Sequence, residues 1–165
     1  KVRNVNIKVV CKTNAGINTL EPYRMLKQCA FLNISGNDVS TIQPLQFLHN
    51  LRVLDVSFNM IQFLPDDEFF SRLEQLSSLN LSSNPFNKLS AVSGLSGAPV
   101  LRLLDLTRTP LCARDGYRSA MLLKLPGLIV LDGSLATDSD AISVEKGSSL
   151  DLKLYRYTNR WGWEP

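Results

Sequence analysis

The chain is poor in the residues that chemistry needs. Its 165 residues hold three cysteines, at positions 11, 29 and 112, and one histidine, His49. An odd number of cysteines without framework spacing makes no disulfide scaffold of the secreted kind. His49 has no cysteine at metal-ligand spacing, no glycine-rich loop is built to cradle phosphate, and no serine has a base beside it in pattern. These gaps argue against an enzyme and predict neither cofactor nor metal. No apolar run approaches the ~18 residues of a membrane helix, so no membrane partner is expected. No signal-peptide pattern opens the chain, although a chain beginning at Lys1 says nothing of a removed leader. Charge of either sign is in short supply too, since 18 Lys and Arg against 15 Asp and Glu leave +3. Direct nucleic-acid binding needs a continuous basic stripe, and the basic residues here alternate with acids.

What the chain has is repetition. Four near-copies of one line run from Cys29 to Asn37, Leu51 to Asn59, Leu76 to Asn84 and Leu101 to Thr109, with starts 22, 25 and 25 residues apart. Apart from Cys29 and Thr109 they fit LxxLxLxxN, which resembles the leucine-rich-repeat signature. The implied fold is an α/β solenoid. It has a short parallel β-sheet on the concave face, short helices and turns on the convex face, and a helical cap at the C-terminal end. Side chains alternate in a strand, so Leu32 and Ile34, Leu54 and Val56, Leu79 and Leu81, and Leu104 and Leu106 should point inward and stack coil on coil. Cys29 occupies a leucine position and reads as a small buried hydrophobe.

Asn37, Asn59 and Asn84 fall where each strand turns, and a buried amide there can bond the backbone groups that the turn strands. An inner asparagine ladder is expected, broken at Thr109 by a hydroxyl without the reach of an amide. The connectors carry Val39, Ile42, Leu45 and Leu48, then Ile61, Leu64, Phe69, Phe70 and Leu73, and predict helical turns. Pro65-Asp66-Asp67 suits a helix N-terminus. Ser90 to Pro99, rich in Gly and Ser, predicts a loose loop or one irregular turn.

A repeat array needs its ends sealed. Gly116 to Gly133 reads as an amphipathic helix followed by a last strand. Its residues Tyr117, Arg118, Leu125, Pro126, Leu128, Leu131, Asp132 and Gly133 make a YR…LPxLxxLDG pattern that resembles the cap of one intracellular subfamily of leucine-rich-repeat proteins. That subfamily includes phosphatase regulatory subunits, the spliceosomal A-prime protein, an outer-arm dynein light chain and ciliary proteins. The Leu64 to Phe70 connector, Phe86 to Val92, and Gly116-Tyr117-Arg118 look most like the ciliary leucine-rich-repeat and IQ-motif proteins. The likeness covers roughly residues 15 to 145. It implies a binding module, with cytoplasm, cytoskeleton or cilium favoured and the nucleus open. An IQ motif, and through it calmodulin, would lie outside this chain: Ile42-Gln43 and Ile61-Gln62 have Phe47 and Asp66 where the pattern needs arginine.

The domain reading is a degenerate first repeat over 1–28, four repeats over 29–115, the cap over 116–145 and a basic aromatic tail over 146–165. Val9-Val10-Cys11 resembles a frayed first coil. The tail interleaves Tyr155, Tyr157, Trp161 and Trp163 with Lys153, Arg156 and Arg160. It could stack on RNA or dock on acidic tubulin tails, but folding back over the solenoid or running into a next domain is the plainer reading. A chain bounded this way reads as a fragment. Asn33-Ile34-Ser35 and Asn80-Leu81-Ser82 match the glycosylation acceptor pattern, which the repeat line itself explains.

The partner-binding candidates lie in the columns that point away from the core. Position three gives Phe31, Val53, Ser78, Leu103 and Val130, expected as an exposed apolar stripe. Ordinary repeat variation at a half-buried position explains that stripe equally well. Position five gives Asn33, Asp55, Asn80, Asp105 and Asp132. Positions two and eight add Arg52, Arg102, Arg108 and Phe58, the last where Gly36 and Ser83 are small. Arginines among aspartates suit an acidic helix or tail of another protein. The resemblance implies an adaptor for an axonemal or tubulin-associated partner. A nuclear ribonucleoprotein adaptor and a phosphatase-targeting subunit are the alternatives.

Overall fold

The computed structural model describes residues 8–136. The expected tail and the end of the cap lie outside those residues. Seven strands form one sheet in chain order: β1 (Lys8–Cys11), β2 (Cys29–Asn33), β3 (Val53–Asp55), β4 (Ser78–Asn80), β5 (Leu103–Asp105), β6 (Val130–Leu131) and β7 (Ser134–Leu135). Each pair through β5–β6 is parallel, and β7 turns back antiparallel on β6. The register runs unbroken from β2, with Phe31 beside Val53, Val53 beside Ser78, Ser78 beside Leu103 and Leu103 beside Val130. One such strand per coil is what the repeat line encodes, because only stacked neighbours cover its inward leucines.

Those leucines make the core. Leu32, Ile34, Leu54, Val56, Leu79, Leu81, Leu104 and Leu106 are all buried in one continuous cluster. Cys29 joins them; its thiol donates to the Phe31 carbonyl at 3.2 Å, and burial pushes it above the usual thiol range. The first coil is less regular. β1 pairs with β2 through a register shift between Lys8 and Val9, and its strand is mostly exposed, although Leu20 seals the coil's inside.

The asparagine ladder forms as the pattern implies. Asn59 Nδ2 donates to the Val56 carbonyl of its own coil at 3.1 Å and to Ile34 of the preceding coil at 3.0 Å, while its Oδ1 accepts from Val39 N at 2.9 Å. Asn37 and Asn84 repeat the arrangement one coil down and one coil up. Thr109 donates to Leu106 O and accepts from Cys112 N, both within its own coil.

On the convex side, Gln43–Phe47 forms a short 3₁₀ helix and α1 (Asp67–Arg72) follows Pro65. Asp66 caps α1 by accepting from Phe69 N at 3.0 Å, which satisfies one of the amides that a helix start leaves open. Of the two expectations for Ser90 to Pro99, the structure shows irregular turns, not a loose loop. Leu89–Gly97 winds as 3₁₀ turns that kink at Val92 and bury Ala91, Val92, Gly94 and Leu95. Its glycines serve proximity rather than looseness: a Cβ on Gly94 would stand 1.9 Å from the Pro65 carbonyl oxygen, and one on Gly97 would stand 2.1 Å from that of Asp67.

The cap helix α2 (Tyr117–Lys124) buries Tyr117 and Met121 against the last coil. Arg118 explains the YR pair. Its guanidinium donates to the carbonyls of Leu131 and Leu135, holding the β6–β7 hairpin to the helix.

Candidate protein-binding face

The concave columns differ from the expectation in exposure. Val53, Leu103 and Val130 are 5, 7 and 9% exposed, and Ser78 between them is 0%. The predicted exposed stripe is therefore a closed floor, with Phe31 alone half-open. Parallel strands lie about 4.8 Å apart, so side chains in one column touch and cover one another.

The fifth column is occupied by local work. The side-chain oxygens of Asn33, Asp55, Asn80 and Asp105 each accept from the backbone N–H two residues on, at Ser35, Ser57, Ser82 and Thr107, over 2.8 to 2.9 Å. This Asx turn starts the exit of these four coils from the sheet. Asp55 is buried and also takes the Ser57 hydroxyl at 2.7 Å. Asn80 is buried as well, and an amide so placed suits the turn rather than a glycan. In the cap, Asp132 Oδ1 accepts from Leu106 N at 2.7 Å. Burial raises its carboxyl above the usual range, against the pull of that amide and of Tyr117. The Tyr117 hydroxyl is buried beside this carboxyl without full hydrogen-bond geometry, and burial first, then the Asp132 charge, drives its pKa far upward.

The arginines differ among themselves. Arg52 is exposed and donates from Nε to Gln75 Oε1 at 3.1 Å. Arg102 is half-buried and spans to the Leu101 and Gly127 carbonyls at 3.2 Å each. Arg108 is exposed, with no ion pair among the described residues.

The eighth column is the open one. The backbone ladder aligns Asn14, Gly36, Phe58, Ser83 and Arg108 through bonds such as Phe58 N to Ser82 O and Ser83 N to Thr107 O. All five have left-handed backbone, with φ between 50° and 68°. That conformation suits glycine, tolerates asparagine and costs a bulky residue about 1–2 kcal/mol. Phe58 holds it at φ 52° and is 54% exposed. Sequence reasoning placed Phe58 here but missed Met60 and Phe63, 56 and 54% exposed on the segment that leaves β3. They were legible as apolar residues on either side of the inward Ile61.

Residues 30–86 and 49–111 match the family model described as leucine rich repeat. The chain belongs to the leucine-rich-repeat family. It is 36% identical over 117 residues to mouse leucine-rich repeat and IQ domain-containing protein 3, covering 71% of this chain and 18% of that protein. Over 111 residues it is 34% identical to human cilia- and flagella-associated protein 410, covering 66% of this chain and 42% of that protein. This leucine-rich-repeat chain thus spans about a fifth of the first relative's length and less than half of the second's. A chain of the Drosophila melanogaster SNF/U2A' complex superposes with a TM-score of 0.75 at 21% identity, covering 95% of this chain and 91% of that one. Likeness at that identity establishes the shared solenoid.

His49 sits in a connector, its Nδ1 donating to the Arg72 carbonyl at 2.9 Å. Among the described residues no three His, Cys, Asp or Glu side chains gather to hold a metal ion, and no helix is long and apolar enough to cross a membrane.

Proposed function

We propose that this leucine-rich-repeat chain is a non-catalytic protein-binding module whose partner seats on the concave sheet and its C-terminal margin, within a ciliary or axonemal assembly. The single observation that carries the binding site is Phe58, an aromatic ring left in water at a backbone position that favours glycine. Strain of that kind persists where a side chain is needed, and exposed aromatics are the anchors that supply most interface energy. Around it the usable surface is Phe31, Arg52, Arg102 and Arg108, with Val53, Asp55, Leu103 and Val130 as the closed floor beneath and Asp105 engaged in its own turn. The ciliary setting rests on the name of the second relative, a cilia- and flagella-associated protein, and on the likeness of the connectors to the ciliary members of the capped subfamily.

The test is affinity mass spectrometry of the full-length protein from ciliated cells against its Phe58→Gly variant. Glycine relieves the left-handed backbone, offset by its own entropy cost of about 0.5–1 kcal/mol, so the fold should hold or firm slightly. Axonemal proteins captured by the parent and lost from the variant support the reading. An unchanged partner set contradicts the site, and a set of spliceosomal or phosphatase proteins contradicts the setting.

A further inference from the structure

The segment leaving β3 presents one apolar strip to water. Asn59 and Ile61 turn inward, at 4 and 0% exposure, while Phe58, Met60 and Phe63, within six residues, are each more than half exposed. Leu89, 40% exposed, follows Lys88 in the next connector, whereas Val9, Met25, Leu123 and Leu135, also exposed, lie on other elements, as single surface apolars usually do.

Two cations border the strip, while the exposed acids Asp66, Asp67 and Glu68 follow it in the chain. Lys88 holds its Nζ over the Phe63 ring, 5.1 Å from the centroid. Arg108 stands in the Phe58 column two coils further on, about 10 Å away by strand spacing, with the small Ser83 between them. Neither cation makes an ion pair among the described residues. Toward the preceding coil the column drops to Gly36, beside the exposed Asp38.

Resting on the protein-binding reading, we propose that this rim takes one linear segment of the partner. The segment lays an aromatic or aliphatic side chain on Phe58, Met60 and Phe63 and carries an Asp or Glu toward Arg108, with Lys88 over Phe63 adding positive charge beside the apolar contact. The 10 Å between the two contacts is about three residues of extended chain. The apolar contact supplies the affinity, and the carboxylate on a guanidinium fixes direction, because reversing the segment would bring its acid to Asp38.

Selection of a phage-displayed random linear peptide library on the purified chain tests this. Enriched peptides should carry an acid about three residues from an apolar anchor. Their binding should weaken about tenfold or more in the Met60→Ser, Phe63→Ser double variant, and Lys88→Glu with Arg108→Glu should turn the selected acid into Lys or Arg. All four side chains are exposed, and circular dichroism checks each fold. Peptides lacking the acid, peptides that bind the double variant equally well, or no enrichment at all overturn the proposal. Peptides that survive the rim substitutions but are lost with Phe31→Glu and Arg52→Glu place binding on the sheet itself, which leaves the general reading standing while this one falls.

Discussion

Asn59 reaches across the coil boundary to the Ile34 carbonyl at 3.0 Å, so the side chain that ends one repeat completes the backbone of the one before. The same amide serves the carbonyls of Val56 and Ser57 and the N–H of Val39, all buried.

Asn59→Ala should therefore destabilise the solenoid by about 3 kcal/mol or more, since each orphaned buried group costs about 1–3 kcal/mol. Thr109→Ala, which touches only its own coil, should cost about 1 kcal/mol. Urea denaturation of both variants checks the ranking, and equal losses would show that the ladder does not tie coils together.

Gly94→Ala should cost about 1–3 kcal/mol, because its Cβ would meet the backbone carbonyl of Pro65 at 1.9 Å and the two connectors must part. Gly127→Ala makes the control. There the nearest atom, at 2.7 Å, is Arg102 Nη1 at the end of a flexible side chain, and a loss on the order of 1 kcal/mol or less is expected. Thermal melts of the two variants decide it.

Asp132→Asn should stabilise the protein increasingly as pH rises from acid to neutral. The folded-state pKa of Asp132 is raised, chiefly by burial, so the folded state holds its proton longer than the unfolded chain does. Stability is then lost as pH climbs from the ordinary carboxylate range through the raised value. Asparagine keeps an oxygen for Leu106 N and removes the charge. Melting temperatures of both proteins across that range should converge at low pH and separate above it; parallel curves would contradict the account.

The core and the ladder were legible because each repeat states them in the same residues: Leu54, Val56 and Asn59 have counterparts at 79, 81 and 84. The acidic start of α1 was legible because capping is local. What stayed hidden depends on neighbours. Gly94 and Gly97 look like flexibility until Pro65 and Asp67 lie against them. Val53 and Leu103 look exposed until the column closes over them, and the fifth-column acids look available until each is seen bonding its own turn. The β7 return strand was missed although its signal is local: Asp132-Gly133, left-handed at φ 54° and 75°, makes the two-residue turn that pairs Leu131 with Ser134, and Arg118 then ties the hairpin to the cap helix.

The central claim is that a protein partner covers the concave sheet and its margin. Hydrogen–deuterium exchange of the chain, alone and with a captured partner, tests it most directly. The account predicts protection over residues 52–63, 77–85 and 102–108, with the convex segments 43–47, 67–72 and 89–97 unchanged. Protection confined to those convex segments would contradict it.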